Sequence, residues 1–168
     1  AGQRYLNINE SYVKNSDEPI ARAIRNVIKP FFVEIGSNYF GTLNDLVKEG
    51  WNGLIIEPVP EYFNKLEKLP GVIYENVAIG TVPGTIAFYY VTEETIALNN
   101  LPAWVRGIGG FKMPPDLVKY HLEKFVSVIK VPVVTIKSLL EKHNIKKINY
   151  LKVDTEGYDC QILMDMDL

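Results

Sequence analysis

Three short apolar runs, the first two each followed by a turn and a helix-like stretch, constrain this chain more than any other feature. They are Phe31-Phe32-Val33-Glu34-Ile35, Gly53-Leu54-Ile55-Ile56 and Val72 to Ile79. Runs of that length without polar alternation read as strands covered on both faces. Gly36 and Gly41 bracket a turn, Thr42 is placed to cap a helix running to Lys48, and Gly50 is a good stop. A second helix is expected from Pro60 to Lys68, ended by Pro70-Gly71. The order β-α-β-α-β argues for an α/β domain built on a parallel sheet with helices on both faces.

The flanking segments extend this pattern. Residues 1–15 read as an irregular arm. Ser16 then caps a helix whose stripe is Ile20, Ala23, Ile24, Val27 and Ile28, and Pro30 ends it. Thr85 to Val91, rich in aromatic and β-branched residues, reads as a strand. Residues 92–114 read as irregular, followed by a helix from Pro115 to Phe125. Val126 to Val134 is a strand in which Pro132 signals an edge or an end. Thr135 caps a helix to about His143, Ile148 to Val153 is a strand, and Asp154 to Gly157 turns into a last helix, Tyr158 to Met166.

Composition excludes several classes. The chain has 168 residues, 47% hydrophobic and 23% charged, which is the balance of one folded domain. The net charge of −2 leaves no whole-chain footprint for nucleic acid. No apolar run approaches the length that crosses a bilayer. One cysteine, Cys160, makes no internal disulfide and fits a reducing compartment such as the cytoplasm. Two His and one Cys argue against a Cys/His zinc site. His121 and His143 read as surface residues, and Cys160 as a small buried one.

Ligands of open parallel sheets bind past the carboxyl ends of the strands. Those ends carry Glu34 and Gly36-Ser37-Asn38, then Glu57-Pro58, then Asn76-Val77-Ala78, and last Asp154-Thr155-Glu156-Gly157. Glu57, 21 residues after Gly36, has the separation expected of an acid that holds ribose hydroxyls. The Gly-x-Gly-x-x-Gly pattern of dinucleotide sites is absent. Glu34 suits a cationic ligand, a sulfonium or an amine, better than a pyrophosphate.

Five blocks appear in a fixed order. They are Phe32-Val33-Glu34-Ile35-Gly36-Ser37-Asn38, Ile55-Ile56-Glu57-Pro58-Val59-Pro60, Asn76-Val77-Ala78-Ile79-Gly80, Val133-Val134-Thr135-Ile136-Lys137-Ser138-Leu139-Leu140 and Leu151-Lys152-Val153-Asp154-Thr155-Glu156-Gly157-Tyr158-Asp159. Together they resemble the FkbM family of S-adenosylmethionine-dependent methyltransferases, from about residue 30 onward. The resemblance implies a Rossmann-like methyltransferase fold and methyl transfer to a hydroxyl oxygen of a sugar or small molecule. By position it implies that Glu34, Gly36, Ser37 and Asn38 hold the methionine part of the cofactor. It puts Glu57, with Pro58, at the ribose and Asn76, Val77 and Ala78 by the adenine. Asp154 and Glu156 would flank the transfer centre, Asp154 the first candidate base and Glu156 the second. The carboxylate pair leaves a divalent metal possible though not expected.

The chain departs from the family at three points. Glu34 replaces the usual Asp, Tyr39-Phe40 lengthens the glycine turn, and Lys137 stands where Asp is common. The chain ends one helix after the Asp154 block, where a complete fold of this type adds strands, so truncation or an exposed strand at 148–153 is expected. Trp104, Arg106 and Phe111, in the insertion 92–126, are the candidate acceptor contacts. Each feature also has an ordinary reading: Gly36 and Gly41 as turn glycines, Glu57 as a helix-start acid, Asp154 as an N-cap and Glu156 as a first-turn charge. Two other readings stay open, a nucleotide-binding oxidoreductase and a non-catalytic fragment that keeps the cofactor fold. The expected partner is a small-molecule or sugar acceptor, not nucleic acid or membrane.

Overall fold

A computed structural model describes Pro19 and residues 29–166. The chain divides into two compact units, Ala1–Pro30 and Phe31–Leu168, and the fold below is that of the second. The expected arm and the Ile20–Ile28 stripe lie outside the described residues.

The first sheet has four parallel strands in the order β3-β2-β1-β8: β1 Phe31–Ile35, β2 Asn52–Ile56, β3 Val72–Glu75 and β8 Tyr150–Val153. Alternation along β1 and β2 sends side chains to opposite faces. Val33, Ile35, Leu54 and Ile56 pack with Ile136, Leu139 and Ile162. Phe32 and Ile55 pack on the other side with Leu66, Leu43, Leu46 and Phe63. Helices therefore cover both faces, which is why β1 and β2 are continuously apolar. Gly53 is required here, because a Cβ on it would meet the Phe32 ring at 2.2 Å.

The second sheet is mixed, so the expectation of a mostly parallel sheet holds for the first sheet only. Its order is β4-β7-β5-β6: β4 Ala78–Ile79, β7 Ser127–Val134, β5 Gly84–Tyr90 and β6 Gly109–Gly110. β4 runs parallel to β7, whereas β5 is antiparallel to both β7 and β6. The expected third strand, 72–79, is thus two strands in two sheets. Asn76 breaks it, donating its side-chain amide to the carbonyls of Glu57 (2.8 Å) and Pro58 (3.1 Å). Pro132 is tolerated within β7 because β4 pairs only Val133 and Val134, leaving one side of the strand open there.

The helices are shorter than expected. α1 is Asn44–Lys48 and α2 is Pro60–Phe63. Thr42 does not cap α1; its hydroxyl donates to Glu34 instead. In the segment expected to be irregular, α3 (Glu93–Leu98) starts at Thr92, whose hydroxyl accepts from the Thr95 N–H, and a 3₁₀ turn follows at Ala103–Gly107. α4 (Pro115–Lys119) ends early, and His121 takes a positive φ of 56° before a second 3₁₀ turn, Glu123–Phe125. α5 (Ile136–Lys142) matches expectation, with Thr135 accepting from the Ser138 N–H. α6 is Asp159–Asp165. Its turn is organised by Asp159, which accepts from the Thr155 N–H (2.8 Å) and hydroxyl (3.0 Å), so Asp154 is not a helix cap. Among the described residues β8 has no neighbour on its outer side. None of the described helices is long and apolar enough to cross a membrane.

Candidate functional site

The hydrogen-bond ladder of the parallel sheet runs past the strand ends and fixes the loops that follow. Gly36 N–H donates to the Ile56 carbonyl (3.0 Å), Glu57 N–H to Glu75 (3.1 Å) and Asp154 N–H to Ile35 (2.9 Å). Three loops far apart in sequence therefore leave the sheet side by side. A cavity opens above them. Gly36, Ser37 and Asn38 line it from β1, Glu57, Pro58 and Tyr62 from β2, and Val77 and Ala78 from the β3–β4 connection. Phe88, Tyr90 and Gly107–Phe111 form the wall from the second sheet, and Lys152, Asp154, Thr155, Glu156 and Tyr158 the wall after β8.

Gly36 is indispensable at this crossing. Its φ is +81°, and a Cβ would stand 1.9 Å from the Asp154 carbonyl oxygen. The first and last loops are packed backbone to backbone.

Glu57 is 4% exposed. Its Oε2 accepts from the Asn38 N–H at 2.7 Å and its Oε1 from the Val59 N–H at 2.8 Å. Burial pushes its carboxyl up to about 7, against the pull of those two amides.

Glu34 is fully buried beneath the cavity. One oxygen accepts from the Thr42 hydroxyl and lies 3.2 Å from Lys152 Nζ; the other has no partner. Lys152 also lies 3.4 Å from Asp154 Oδ2. The register explains this: Glu34 is opposite Lys152 across β1 and β8, and Asp154 follows two residues on, on the same face. Glu156 is exposed at the rim, and its carboxyl is raised by partial desolvation and then by the charges of Asp154, Asp159 and Asp116.

The structure brings together Gly36, Ser37, Asn38, Glu57, Pro58, Val77, Ala78, Phe111, Asp154 and Glu156 from the sequence-derived set. Glu34 and Asn76 support the floor through hydrogen bonds rather than lining it. It does not bring in two of the acceptor candidates. Trp104 packs its ring on Tyr120 at 5.2 Å, and the Arg106 guanidinium is tied to Glu93 at 2.6 Å. Sequence reasoning missed Thr42, Lys152, Tyr62, Phe88, Tyr90 and Tyr158. Phe111 stands edge-on to both Phe88 (6.0 Å) and Tyr158 (4.9 Å), so a run of aromatic rings joins the second sheet to the wall that carries the carboxylates. Outside the cavity, Cys160 is exposed, not buried. His143 is half-buried against Glu75 at 2.5 Å, not a free surface residue. Among the described residues no three His, Cys, Asp or Glu side chains cluster as a metal would need.

A family model for the FkbM methyltransferase domain matches residues 31–168. The chain belongs to the FkbM methyltransferase family. No curated protein and no solved structure matches it. The matched span opens at the first residue of β1 and includes every residue lining the cavity. In this FkbM domain the strand-end acids, the glycine turn and the aromatic wall are parts of one cavity.

Proposed function

We propose that the domain is an S-adenosylmethionine-dependent methyltransferase of Rossmann-like architecture, transferring a methyl group to a hydroxyl oxygen of a sugar or small molecule. The observation that carries this reading is the convergence of Glu57, the Gly36 turn and the Asp154 loop on one cavity at the carboxyl ends of parallel strands.

The residues present fit the cofactor. Glu34, buried beneath the floor with one unpartnered oxygen, places negative charge under the cavity, which suits a cationic ligand group. Gly36 lets the loop after β1 pack directly on the Asp154 backbone, so both loops present main chain to the cavity. Glu57 keeps lone pairs for ribose hydroxyls beyond the two amides it already accepts. Val77 and Ala78 offer an apolar seat for the adenine. When bound, the cofactor supplies an electrophilic methyl on a sulfonium.

The chain's own work is alignment and proton removal. Asp154 and Glu156 line the same cavity as Phe88, Phe111 and Tyr158, so an acceptor ring stacked on those aromatics has carboxylates within the cavity to meet its hydroxyls. Asp154 is paired with Lys152, which holds its carboxylate in place. Glu156, its carboxyl raised by partial desolvation and by the acids around it, joins Asp154 as a group placed to take a hydroxyl proton. The second sheet closes the cavity from above and limits water.

The deciding experiment is calorimetric titration of the chain with S-adenosylhomocysteine, with NAD in parallel. Saturable one-to-one binding of the first alone is expected. Binding of NAD alone would replace this reading with a nucleotide-dependent oxidoreductase, and binding of neither would leave a domain without a cofactor site.

A further inference from the structure

Asn38 makes four hydrogen bonds: its carbonyl accepts from the Ser37 hydroxyl at 3.0 Å, and the other three run in three directions. Its backbone N–H donates to Glu57 Oε2 at 2.7 Å. Its side-chain Nδ2 donates to the Arg106 carbonyl at 3.0 Å, across 68 residues of chain, and its Oδ1 accepts from the Tyr39 N–H at 2.7 Å. Its φ is +53°, a conformation that Asn tolerates and glycine adopts without strain.

The Arg106 carbonyl opens the segment Gly107–Gly110, which lines the cavity opposite Glu57 and pairs with Tyr89 and Tyr90 through Gly109 and Gly110. Three glycines give that strap little stiffness of its own. The Arg106 guanidinium is fixed on Glu93, so the backbone and the side chain of one residue are anchored separately.

We propose that Asn38 is a positioning residue that couples occupancy at Glu57 to closure of the strap Ala103–Phe111. The proposal rests on the reading of this cavity as a cofactor site. A ligand hydroxyl donated to Glu57 favours its ionised form. An ionised Glu57 holds the Asn38 N–H in a charge-assisted bond. A firmly held Asn38 keeps its amide on the Arg106 carbonyl, and the strap closes against the filled cavity. Linkage makes the effect reciprocal: the factor by which ligand lowers the strap's opening equilibrium is the factor by which the closed strap tightens ligand binding. Because Phe111 belongs to the strap and already stands against Phe88 and Tyr158, filling the cofactor side steadies the acceptor wall as well.

The test is hydrogen exchange of peptides spanning 103–111, with and without S-adenosylhomocysteine, beside its calorimetric affinity, in wild type and Asn38→Gly. Glycine keeps the positive φ and the N–H to Glu57 and removes only the side-chain amide. In wild type, ligand slows exchange in the strap. In Asn38→Gly, strap exchange without ligand rises roughly fivefold to tenfold, the scale of one hydrogen bond. The ligand-induced slowing shrinks and the affinity falls by a matching factor, while β1 and β2 keep their protection. Unchanged strap exchange, or lost protection without lost affinity, overturns the coupling. If β1 loosens as well, Asn38→Asp replaces the glycine variant, since it keeps the side-chain size and loses the donor to the Arg106 carbonyl. Absence of ligand binding in wild type defeats the cofactor reading and the coupling together, a result distinct from failure in the variant alone.

Discussion

The Glu57 carboxylate and the Asn38 backbone N–H meet at 2.7 Å, joining the end of β2 to the loop after β1 inside a nearly dry site. Burial holds this carboxyl near pH 7, well above the 4.5 it would have in an unfolded chain. Between those values the folded chain keeps a proton that the unfolded chain gives up. Stability contributed by protonated Glu57 is therefore full below about pH 4.5 and is lost as pH rises through about 7, by on the order of 3 kcal/mol. Glu57→Gln removes this titration. Denaturant unfolding at pH 5 and pH 8 should show the variant gaining on wild type toward pH 8 by that amount. A gap independent of pH would mean that Glu57 titrates like a surface acid.

Lys152 is the cation nearest to buried Glu34. Replacing it with Met leaves that carboxylate unpaired, at a cost of about 3 kcal/mol. Adding Glu34→Gln should recover much of the loss, because the buried charge is then gone too. A double-mutant cycle by chemical denaturation measures the coupling, and additive losses would show that the 3.2 Å contact contributes nothing.

Gly36→Ala is expected to be severe. The alanine methyl would occupy the position of the Asp154 carbonyl, at a φ that L residues adopt only under strain. A stability loss of roughly 3 kcal/mol or more should come with loss of S-adenosylhomocysteine binding. Thermal melting and calorimetry check both, and a variant as stable as wild type would refute the backbone contact.

Asp154→Asn and Glu156→Gln separate binding from chemistry. Neither should greatly alter affinity for S-adenosylhomocysteine. If Glu156 takes the hydroxyl proton, its variant loses about 10²–10⁴ in turnover with a hydroxylated acceptor. The Asp154 variant should lose less and should shift the acceptor KM. A reversed order would make Asp154 the base.

The residues that were legible share one property: local signal and tertiary demand agree. β1 and β2 are covered on both faces, and their sequences carry unbroken apolar runs. Thr135 caps α5 by a bond to its own helix, which spacing alone reveals. What was missed depends on partners far away in sequence. Strand-forming residues flank Glu75-Asn76 on both sides within Val72 to Ile79, and the bonds from Asn76 to the carbonyls of Glu57 and Pro58 turn the chain there. Lys152 carries no signal of its own in the sequence, because its role comes from register with a residue 118 positions earlier. Thr92, Glu93 and Glu94 do signal the start of α3, but the Asn, Pro and Gly residues that follow outweighed them. Trp104 was chosen for its chemistry, and chemistry does not say which way a ring points.

The backbone contact between Gly36 and Asp154 bears on how the chain matures. The cavity floor joins β1 to β8, 118 residues later, so no growing chain holds a finished site until β8 has been made and has docked on β1. Pairings this distant form late and slowly. A ligand that recognises the completed floor binds the folded chain alone, and its cellular concentration then helps set how much of the newly made protein stays folded.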